Sequence, residues 1–470
     1  MPWSFNAASD WADVGASFAP APAQSGFGSK VVKRQRVESG QAATIEVVEF
    51  YDGLGRLIQK KTPTENPGVF VVSGQTQYNT RGLPEYQYLP FFSNIPRDTI
   101  DPIVPTRPRS KAIYDGFGRV IESRNPDDTF STIRYGDWMT ETIDENGHMQ
   151  RSYSDAQGRL IKKEEYLGAD VRGLPAYPTA PFTLYATTEY TYDSEGNLTR
   201  TKDAHNNITT IAYDKLGRKT QMTDLDMGTW SYGYDLNGNL LWQTDAKNQR
   251  IDFTYDDLNR LVNKSDGANV NVNYTYDDVT VQYSKGRLTN ADYRMSPTVT
   301  NDTRFRYDRV GREEQSTKVI DTTSYDVRRR YDAMNRLKDV EYPDTKKTYY
   351  TYNGGGQIET VSFEDPSVDA TALSQIPIVL DVDYNAHGQI THIEYGNGVA
   401  TDYTYHPQNL RLQRILTQKV SPAAVIQDLN YTYDNIGDIL TIIDNVHTAD
   451  QSFQYDALNR LKQATGYYCG

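Results

Sequence analysis

The pair Tyr-Asp recurs along this 470-residue chain at a fixed interval, and this feature restricts the possible folds more than any other. From Tyr192 to Tyr276 four successive intervals are each 21 residues long. Less exact copies of the same motif occur from Tyr51 to Tyr455. A fixed period of this length is typical of repeat proteins, in which each unit packs on its neighbours. The period therefore organises the chain from about residue 45 onward.

Each repeat carries the pattern of two β-strands joined by tight turns. Trp230, Tyr232 and Tyr234 alternate with small or polar residues, and a period of two indicates a strand. Asp235 then opens a turn whose fourth residue, Gly238, tolerates a positive φ. Asparagine, which also tolerates this conformation, takes the glycine position in other copies. The recurring unit therefore predicts a continuous series of β-hairpins.

The composition favours a thin wall over a thick core. Only 37% of the residues are apolar, and 36 tyrosines outnumber 14 phenylalanines. Most of the aromatic side chains therefore carry a polar hydroxyl group. A long sheet cannot stay flat because its strands twist. We therefore predict an all-β fold: a continuous antiparallel β-hairpin meander of 21-residue repeats that spirals into a curved, hollow shell wall, or partial cocoon.

The repeat pattern also suggests how the chain is divided. Residues 41–470 are predicted to form the repeat shell, whereas residues 1–40 are rich in Ala, Ser, Pro and Gly and predict a flexible or docking lead-in. Proline-rich insertions near 84–108 and 172–182 interrupt the shell. Since proline cannot donate to a ladder, these stretches predict irregular connections and not central strands.

Two further interruptions of the period, residues 278–303 and 361–380, are predicted to be longer loops. The chain stops soon after a well-formed repeat turn, and from this we expect a fragment of a longer protein. The strand edges of an incomplete wall are open, so dependence on a neighbouring segment or self-association is expected.

Charge and cysteine content exclude several classes of partner. The formal net charge is −13, which repels nucleic acid and anionic lipid headgroups. The single cysteine, Cys469, allows neither an intrachain disulfide nor a cysteine-based zinc site. The sequence contains no apolar run long enough to span a membrane and no signal-peptide pattern at its start. We expect export by another route or as part of a larger assembly.

The motif Y-D-x-x-G/N-R/N-L resembles that of the YD-repeat, or Rhs-repeat, family. This family includes Rhs proteins, wall-associated proteins, teneurin shells, and the B and C components of insecticidal toxin complexes. The motif is met at Tyr51–Leu57, Tyr192–Leu198, Tyr234–Leu240, Tyr255–Leu261, Tyr331–Leu337 and Tyr455–Leu461. The stretch YNTRGLPEYQYLPFF, residues 78–92, and YDGFGRV from Tyr114 look most like the repeat-bearing end of a B component.

The resemblance implies a structural function. In the family the repeats form a strip that spirals into a cocoon around a toxic domain, and the payload carries the catalysis. Some members also cut themselves with aspartates in a D-P-x-G motif. Here Asp365 and Pro366 are followed by Ser-Val, so neither self-cleavage nor toxicity is carried over to these residues.

The predicted site residues are structural repeat positions, with no catalytic, cofactor or metal role. The aspartates are expected to hold the turns, the tyrosines to form a cross-strand ladder, and the arginines to stack on tyrosines and pair with turn carboxylates. These positions are Tyr51, Asp52, Gly55, Arg56, Tyr114, Asp115, Gly118, Arg119, Tyr192, Asp193, Gly196, Tyr213, Asp214, Gly217, Arg218, Tyr234, Asp235, Gly238, Tyr255, Asp256, Asn259, Arg260, Tyr276, Tyr307, Asp308, Gly311, Tyr331, Asp332, Asn335, Arg336, Tyr433, Asp434, Gly437, Tyr455, Asp456, Asn459 and Arg460.

The predicted function is that of a non-enzymatic shell segment of a bacterial secreted toxin or toxin-complex component, at the cell surface or outside the cell. Its expected partners are further shell segments, toxin-complex subunits and an enclosed toxin domain. One alternative is an adhesion or glycan-binding module, because rows of tyrosines can stack on sugars. A third is an autoprocessing aspartyl protease, which would need paired aspartates outside the turns. A joint metal site at His387 and His392 is not expected, because their odd spacing places them on opposite faces of a strand.

Overall fold

The computed structural model describes residues 14–20, 28–38, 44–168, 182–268, 270–296, 299–366 and 375–466. Every regular element in these ranges is a β-strand. The described part of the chain contains no helix that could cross a membrane. Cys469 and nearly all of the insertion predicted at 172–182 lie outside the described residues.

The strands, in chain order, are β1 (Val14–Pro20), β2 (Ser29–Arg36), β3 (Thr44–Tyr51), β4 (Leu57–Pro63), β5 (Phe70–Ser73), β6 (Thr76–Tyr78), β7 (Pro84–Tyr88), β8 (Phe91–Ser93), β9 (Arg109–Tyr114), β10 (Val120–Arg124), β11 (Phe130–Tyr135), β12 (Met139–Ile143), β13 (Met149–Ser154), β14 (Leu160–Leu167), β15 (Thr183–Tyr192), β16 (Leu198–Lys202), β17 (Ile208–Tyr213), β18 (Lys219–Asp224), β19 (Gly228–Tyr234), β20 (Leu240–Thr244), β21 (Arg250–Tyr255), β22 (Leu261–Ser265), β23 (Asn271–Tyr276), β24 (Leu288–Ser296), β25 (Val299–Tyr307), β26 (Glu313–Ile320), β27 (Thr323–Tyr331), β28 (Leu337–Glu341), β29 (Lys347–Tyr352), β30 (Ile358–Glu364), β31 (Ile376–Tyr384), β32 (Ile390–Tyr395), β33 (Val399–Tyr405), β34 (Leu412–Lys419), β35 (Ala424–Tyr433), β36 (Ile439–Asp444), β37 (Gln451–Tyr455) and β38 (Leu461–Gly466).

These strands form two antiparallel sheets. The first has six strands in the order β1-β2-β3-β4-β5-β8, and the second runs β6-β7-β9-β10 and then strand by strand to β38. The registered partner of β38 is β37, and all six residues of β38 are exposed, so the meander is not closed at this strand. The predicted all-β hairpin meander is confirmed.

The repeat turns set the local geometry of the sheet. In the hairpin of β19 and β20, Gly233 pairs with Trp242 but Tyr234 pairs with Leu240, so a bulge lies at the tyrosine. Gly238, at the end of the turn, has a φ of 93°. The same register shift recurs in most Tyr-Asp hairpins, for example at Tyr255 and Tyr331. Since a bulge bends its strand and increases the twist, a regular row of bulges favours a curved sheet.

The sheet has two edges of different composition. The upper edge is made of the turns that follow the repeat tyrosines, such as 115–119, 214–218 and 434–438. The lower edge is made of the turns between repeats, such as 144–148 and 203–207. Because strands alternate in direction, all turns of one kind lie on the same side of the strip.

The strip is wound so that one part of its lower edge meets a later part of its upper edge. Asn146 on the lower edge bonds Asp434 on the upper edge, 288 residues away. Other contacts of this kind join residues 275 to 315 positions apart. One coil of the strip therefore takes roughly 300 residues, and the chain makes more than one coil. We call this line of turn-to-turn contacts, between residues 37–185 and 333–460, the seam.

The core of this wall is thin. Twelve apolar side chains are buried among the described residues. They include one cluster of Val32, Val48 and Phe50 in the six-stranded sheet and one that contains Ile143 and Met149. The accessible surface is 28416 Å², whereas a compact globule of this mass exposes roughly 18,000 Å². The chain is a sheet exposed on both faces along most of its length.

Three stretches that the sequence predicted to be irregular contain strands. Pro84 begins β7, which pairs with β6 and β9, so the prediction that the 84–108 stretch holds no central strand is wrong. Proline is tolerated there because it takes the first position of the strand. The predicted loop at 278–303 contains β24 and much of β25, which pair with each other. The predicted loop at 361–380 includes parts of β30 and β31, also paired.

The predicted lead-in of residues 1–40 also contains strands. β1 pairs with β2, and β2 pairs with β3 in the six-stranded sheet. The division of the chain at residue 40 stays a prediction.

Candidate functional site

The aspartate of each repeat turn holds its own turn closed. Oδ1 of Asp214 accepts hydrogen bonds from the backbone N–H groups of Leu216 and Arg218, at 2.9 and 3.0 Å. Oδ2 accepts one from Nε of Arg218 at 2.7 Å. The side-chain hydrogen bond from Arg218, followed by the backbone bonds, holds the pKa of Asp214 below its usual value. The ionised carboxylate is therefore the form that the turn needs.

In the part of the chain that the structure describes, the same carboxylate–arginine contact is found at eight turns, with distances of 2.6 to 2.8 Å between Oδ2 and Nε. Its aspartates are Asp52, Asp115, Asp155, Asp214, Asp256, Asp308, Asp332 and Asp456. In other turns an amide replaces the guanidinium: Nδ2 of Asn239 donates to Oδ2 of Asp235 at 2.8 Å, and Asn197 does the same for Asp193 at 2.9 Å. Arginine and asparagine thus share one role at this position.

Each turn is also tied to the next repeat. The hydroxyl of Tyr234 donates to the backbone oxygen of Lys219 in the preceding hairpin, at 2.9 Å. The Arg218 guanidinium lies 5.0 Å from the centre of the Tyr234 ring, and its Nη1 donates to the backbone oxygen of Asp235 at 2.5 Å. A turn arginine therefore bonds its own aspartate and contacts the following tyrosine and turn.

The tyrosine hydroxyl contact recurs along the strip, with distances of 2.6 to 3.1 Å. Its donors include Tyr114, Tyr135, Tyr192, Tyr213, Tyr234, Tyr255, Tyr307, Tyr331, Tyr352, Tyr384, Tyr405 and Tyr455. Tyr51 differs, because its hydroxyl donates to Glu49 within the same strand. Tyr276 and Tyr433 are contacted by the guanidinium groups of Arg260 and Arg411.

The seam joins polar turn residues of the two edges. Nδ2 of Asn459 donates to Oδ2 of Asp144 at 3.0 Å, and the Nδ1 atom of His148 lies 2.9 Å from Oδ1 of Asn459. Beside them, Nδ2 of Asn146 donates to Oδ2 of Asp434 at 2.8 Å. One lower turn, 144–148, therefore contacts two upper turns at once.

Further contacts extend the seam in both directions. Nδ2 of Asn409 donates to Oδ2 of Asp127 at 2.9 Å. Near the start of the seam the backbone N–H of Ala333 donates to the oxygen of Val37 at 3.1 Å. At its end, Nη2 of Arg460 donates to the hydroxyl of a tyrosine in β15 at 3.1 Å. The seam residues cannot be predicted as a set from the sequence, because no local pattern marks a partner about 300 residues away.

Asp438 departs from the repeat pattern at the seam. It occupies the position that arginine or an amide takes in other repeats, four residues after Asp434. Burial, followed by the nearby carboxylates of Asp434 and Asp144, raises the pKa of Asp438. Oδ2 of Asp434, which an arginine bonds in other turns, is bonded here by Asn146 from the other coil.

A buried ion pair fixes the irregular stretch before β9. Nζ of Lys61 lies 2.5 Å from Oδ2 of Asp101, and the two side chains are 0% and 1% exposed. Asp101 also accepts from Ser93 and Gln59, so its carboxylate is well satisfied, as a buried charge requires. No local pattern in the sequence predicts this pair, and the proline-rich composition of 84–108 is the sole signal that points to the region.

The described residues contain no group of three or more histidine, aspartate or glutamate side chains arranged to hold a metal ion. His392 bonds Asp402 at 2.7 Å on the strand face, while His387 lies at a turn of the upper edge. Burial lowers the pKa of His387. The absence of any cofactor stays a prediction.

Comparison with known proteins gives consistent matches. The family model described as Teneurin YD-shell matches residues 178–285. Toxin subunit YenC1 of Yersinia entomophaga is 36% identical over 103 residues, which cover 19% of this chain and 11% of YenC1. Toxin subunit YenC2 of the same organism is 34% identical over a stretch of equal length.

Solved structures match almost the whole chain. The crystal structure of TcdB2-TccC3 aligns with a TM-score of 0.80 and 19% identity, covering 99% of this chain and 26% of that chain. A structure of the Tc holotoxin pore of Photorhabdus luminescens aligns with a TM-score of 0.77 and 19% identity, covering 94% of this chain and 24% of that one. This chain thus spans about a quarter of the length of the chains it matches. The resemblance to the YD-repeat family and the shell-like fold of toxin complexes are confirmed.

Proposed function

We propose that this chain is part of the wall of a secreted bacterial toxin complex, and that the wall encloses a toxic domain. The observation that carries the proposal is the seam: a sheet one layer thick is wound past a full coil and bonded to itself, edge to edge. Such a wall separates the space on one face of the sheet from the space on the other. Its partners would be further shell segments, toxin-complex subunits and the enclosed domain, and its location would be outside the cell or at the cell surface.

The proposed role is structural and not enzymatic. Turn aspartates such as Asp214 and Asp256 have their carboxylate oxygens occupied by backbone N–H groups and arginine. A general acid or base needs a proton-transfer group that can reach a substrate, and these carboxylates are committed to the turns. Occupied carboxylates also give no support to the alternative of an autoprocessing aspartyl protease.

No contact among the described residues favours the alternative of a glycan-binding module. A sugar needs an open aromatic face, whereas Arg218, Arg312 and Arg336 lie 4.2 to 5.0 Å from the centres of the next repeat tyrosines. The hydroxyl groups of those tyrosines are used within the sheet. The tyrosine ladder therefore serves the wall itself.

Thiol accessibility on the two faces of one strand tests whether the wall encloses a space. Thr209 and Thr210 are neighbours of the same type in β17, so they project to opposite faces. Each would be changed to cysteine in a C469S background, and its rates with a small maleimide and with a bulky polymer-coupled maleimide would be compared.

For an enclosing wall, one of the two cysteines reacts readily with the small reagent but is strongly retarded with the bulky one. The neighbouring cysteine reacts with both and serves as the matched control. Equal ratios of the two rates at Thr209→Cys and Thr210→Cys would contradict enclosure. The face that is retarded would also identify the inner side of the wall.

A further inference from the structure

The upper edge carries an exposed apolar residue at the tip of many turns, two positions after the aspartate. Five of these tips lie between β3 and β26 and are 60 to 89% exposed: Leu54, Phe117, Leu216, Leu258 and Val310. Single exposed apolar residues are normal on a protein surface. What distinguishes these five is their common position in the repeat turn. Polar residues, Gln157, Glu195 and Asn237, occupy that position in turns between them, so the upper edge is a mixed apolar and polar surface.

The same position is covered where the upper edge takes part in the seam. Met334, Ile436 and Leu458 occupy it in later repeats, and all three are partly buried. The turn geometry is the same in the two sets, since the backbone N–H of the tip residue donates to the aspartate Oδ1 at 2.9 Å both at Leu216 and at Leu458. The turns therefore differ in what lies against them and not in their own conformation.

The covering surface is the lower edge of the other coil. Residues next to the covered tips bond it directly: Ala333 bonds Val37, Asn435 bonds Asn146, and Asn459 bonds Asp144. The upper edge from Leu54 to Val310 continues the edge that forms this seam. Among the described residues no seam contact of this kind reaches it, so it presents the same surface without its cover.

The lower edge also includes matching turns that no seam contact covers among the described residues. In the seam, the lower turn 144–148 contributes its first, third and fifth residues to the other coil. The turn 203–207 has the same construction: its aspartate bonds the backbone of the fifth residue at 2.8 Å, as in 144–148, and its fourth residue has a positive φ. The turn 245–249 is built in the same way.

We propose that the upper edge from Leu54 to Val310 docks on the lower edge of a second copy of this chain, in a turn-to-turn contact like the internal seam. The two free edges face opposite directions along the coil axis, so the contact is head-to-tail. A heterologous contact of this kind adds copies one after another and does not stop at a symmetric dimer. The proposal does not depend on whether the wall encloses a payload.

Sedimentation velocity over a concentration series tests the proposal with the intact chain. The wild type is expected to shift above the monomer mass of 53.3 kDa as concentration rises. An upper-edge variant, L216S with L258S and V310S, loses apolar contact area at three tips, and its association should weaken by at least about tenfold. A matched control, I161S with L241S and L380S, changes three exposed apolar residues on strand faces and should associate like the wild type.

A lower-edge variant tests the other surface of the proposed contact. His205→Glu with Lys247→Glu places carboxylates where the seam uses the amide of Asn146 against Asp434. Each variant alone should be largely monomeric, and an equimolar mixture of the upper-edge and lower-edge variants should form a one-to-one dimer through the one intact pair of edges. Circular dichroism and thermal unfolding would verify that each variant is folded.

Three outcomes would overturn the proposal. A wild type that stays monomeric across the series excludes the contact. An upper-edge variant that associates as well as the wild type assigns the association to another surface, such as the exposed strand β38. A mixture of the two variants that forms no dimer shows that the edges do not meet head-to-tail.

Discussion

At the scale of single residues, the turn depends on one backbone conformation. Gly55 has a φ of 75° at the end of the turn that begins at Asp52, and the equivalent residue elsewhere is glycine or asparagine. Gly53, in the same turn, has no positive φ, and a Cβ added at either glycine would meet nothing within 4 Å. The two positions differ in backbone conformation alone.

We therefore predict that Gly55→Ala lowers the free energy of unfolding by about 1–2 kcal/mol, because an L-residue is strained in the left-handed region. Gly53→Ala is the matched control and should be neutral, or stabilising by about 0.4–1 kcal/mol through the unfolded chain. Denaturant midpoints of the two variants measure the difference. Equal effects at the two glycines would show that strain at φ 75° does not matter to this turn.

A second residue-scale property is the pH response of Glu164, which lies in a polar cluster of β13 and β14. Burial alone would raise its pKa, but hydrogen bonds from Lys162, Tyr166 and Tyr153 outweigh it and lower the pKa to about 2. Burial and the hydrogen bond to Glu164 raise the pKa of Tyr166 to about 12. The cluster favours an ionised glutamate and neutral tyrosines.

The sign of the pH dependence follows from these shifts. Because the folded pKa of Glu164 lies below its ordinary value of 4.5, its contribution to stability is present above about pH 4.5 and is lost as the pH falls toward 2. Glu164→Gln should therefore be less stable than the wild type at pH 7, and the gap should narrow on acidification. Chemical denaturation at several pH values measures the gap. A constant difference from pH 7 to pH 3 would be inconsistent with the shift.

At the scale of elements, the tyrosine hydroxyl joins one hairpin to the next. Tyr234 donates to Lys219 of the preceding hairpin, and the equivalent bond recurs along the strip. Tyr232, two residues earlier on the same face, has a hydroxyl without a hydrogen-bond partner among the described residues, although Lys219 lies over its ring. The two tyrosines thus form a matched pair.

Tyr234→Phe should lower the free energy of unfolding by about 0.5–1.5 kcal/mol, since it removes one hydrogen bond and leaves an acceptor in the sheet. Tyr232→Phe should have a much smaller effect. Because stability in repeat proteins is local, hydrogen exchange of the amides in β18 and β19 is the sharper measurement. Equal exchange in both variants would mean that the hydroxyl bond does not couple the hairpins.

At the scale of the whole molecule, the seam fixes how the coils lie on each other. Asn459 both ends its own turn, with a φ of 58°, and bonds Asp144 and His148 of the other coil. Asn259 has the same turn role, with a φ of 60°, but lies on the free upper edge. Glycine accepts this conformation in both places, so substitution removes the side chain without straining the turn.

Asn459→Gly should loosen the seam and raise hydrogen exchange in the turn 144–148, because two contacts between coils are lost. Asn259→Gly should leave that exchange unchanged. Small-angle scattering should show a radius of gyration well above the roughly 23 Å of a compact globule for the wild type and a further increase for Asn459→Gly. Unchanged exchange at 144–148 would mean that the other seam contacts suffice to hold the coils.

The repeat, its strands and its turns follow from local sequence. The alternation around Tyr234 and the glycine or asparagine that ends each turn are local requirements, because an aspartate side chain and a positive φ three residues later are enough to close the hairpin. For the same reason, the all-β meander could be predicted from a 21-residue period.

The places where non-local partners meet are visible in the folded chain and in no local pattern. The contacts of Asn146 and Asn459 join residues about 300 positions apart, and Lys61 finds Asp101 beneath an irregular stretch. Whether residues 288–303 form a loop or a hairpin depends on pairing with neighbouring strands, which overrides a weak local pattern. The local sequence of a turn specifies the hydrogen bonds within that turn. Which edge of the sheet the turn contacts depends on the twist and the bulges that accumulate over every intervening hairpin.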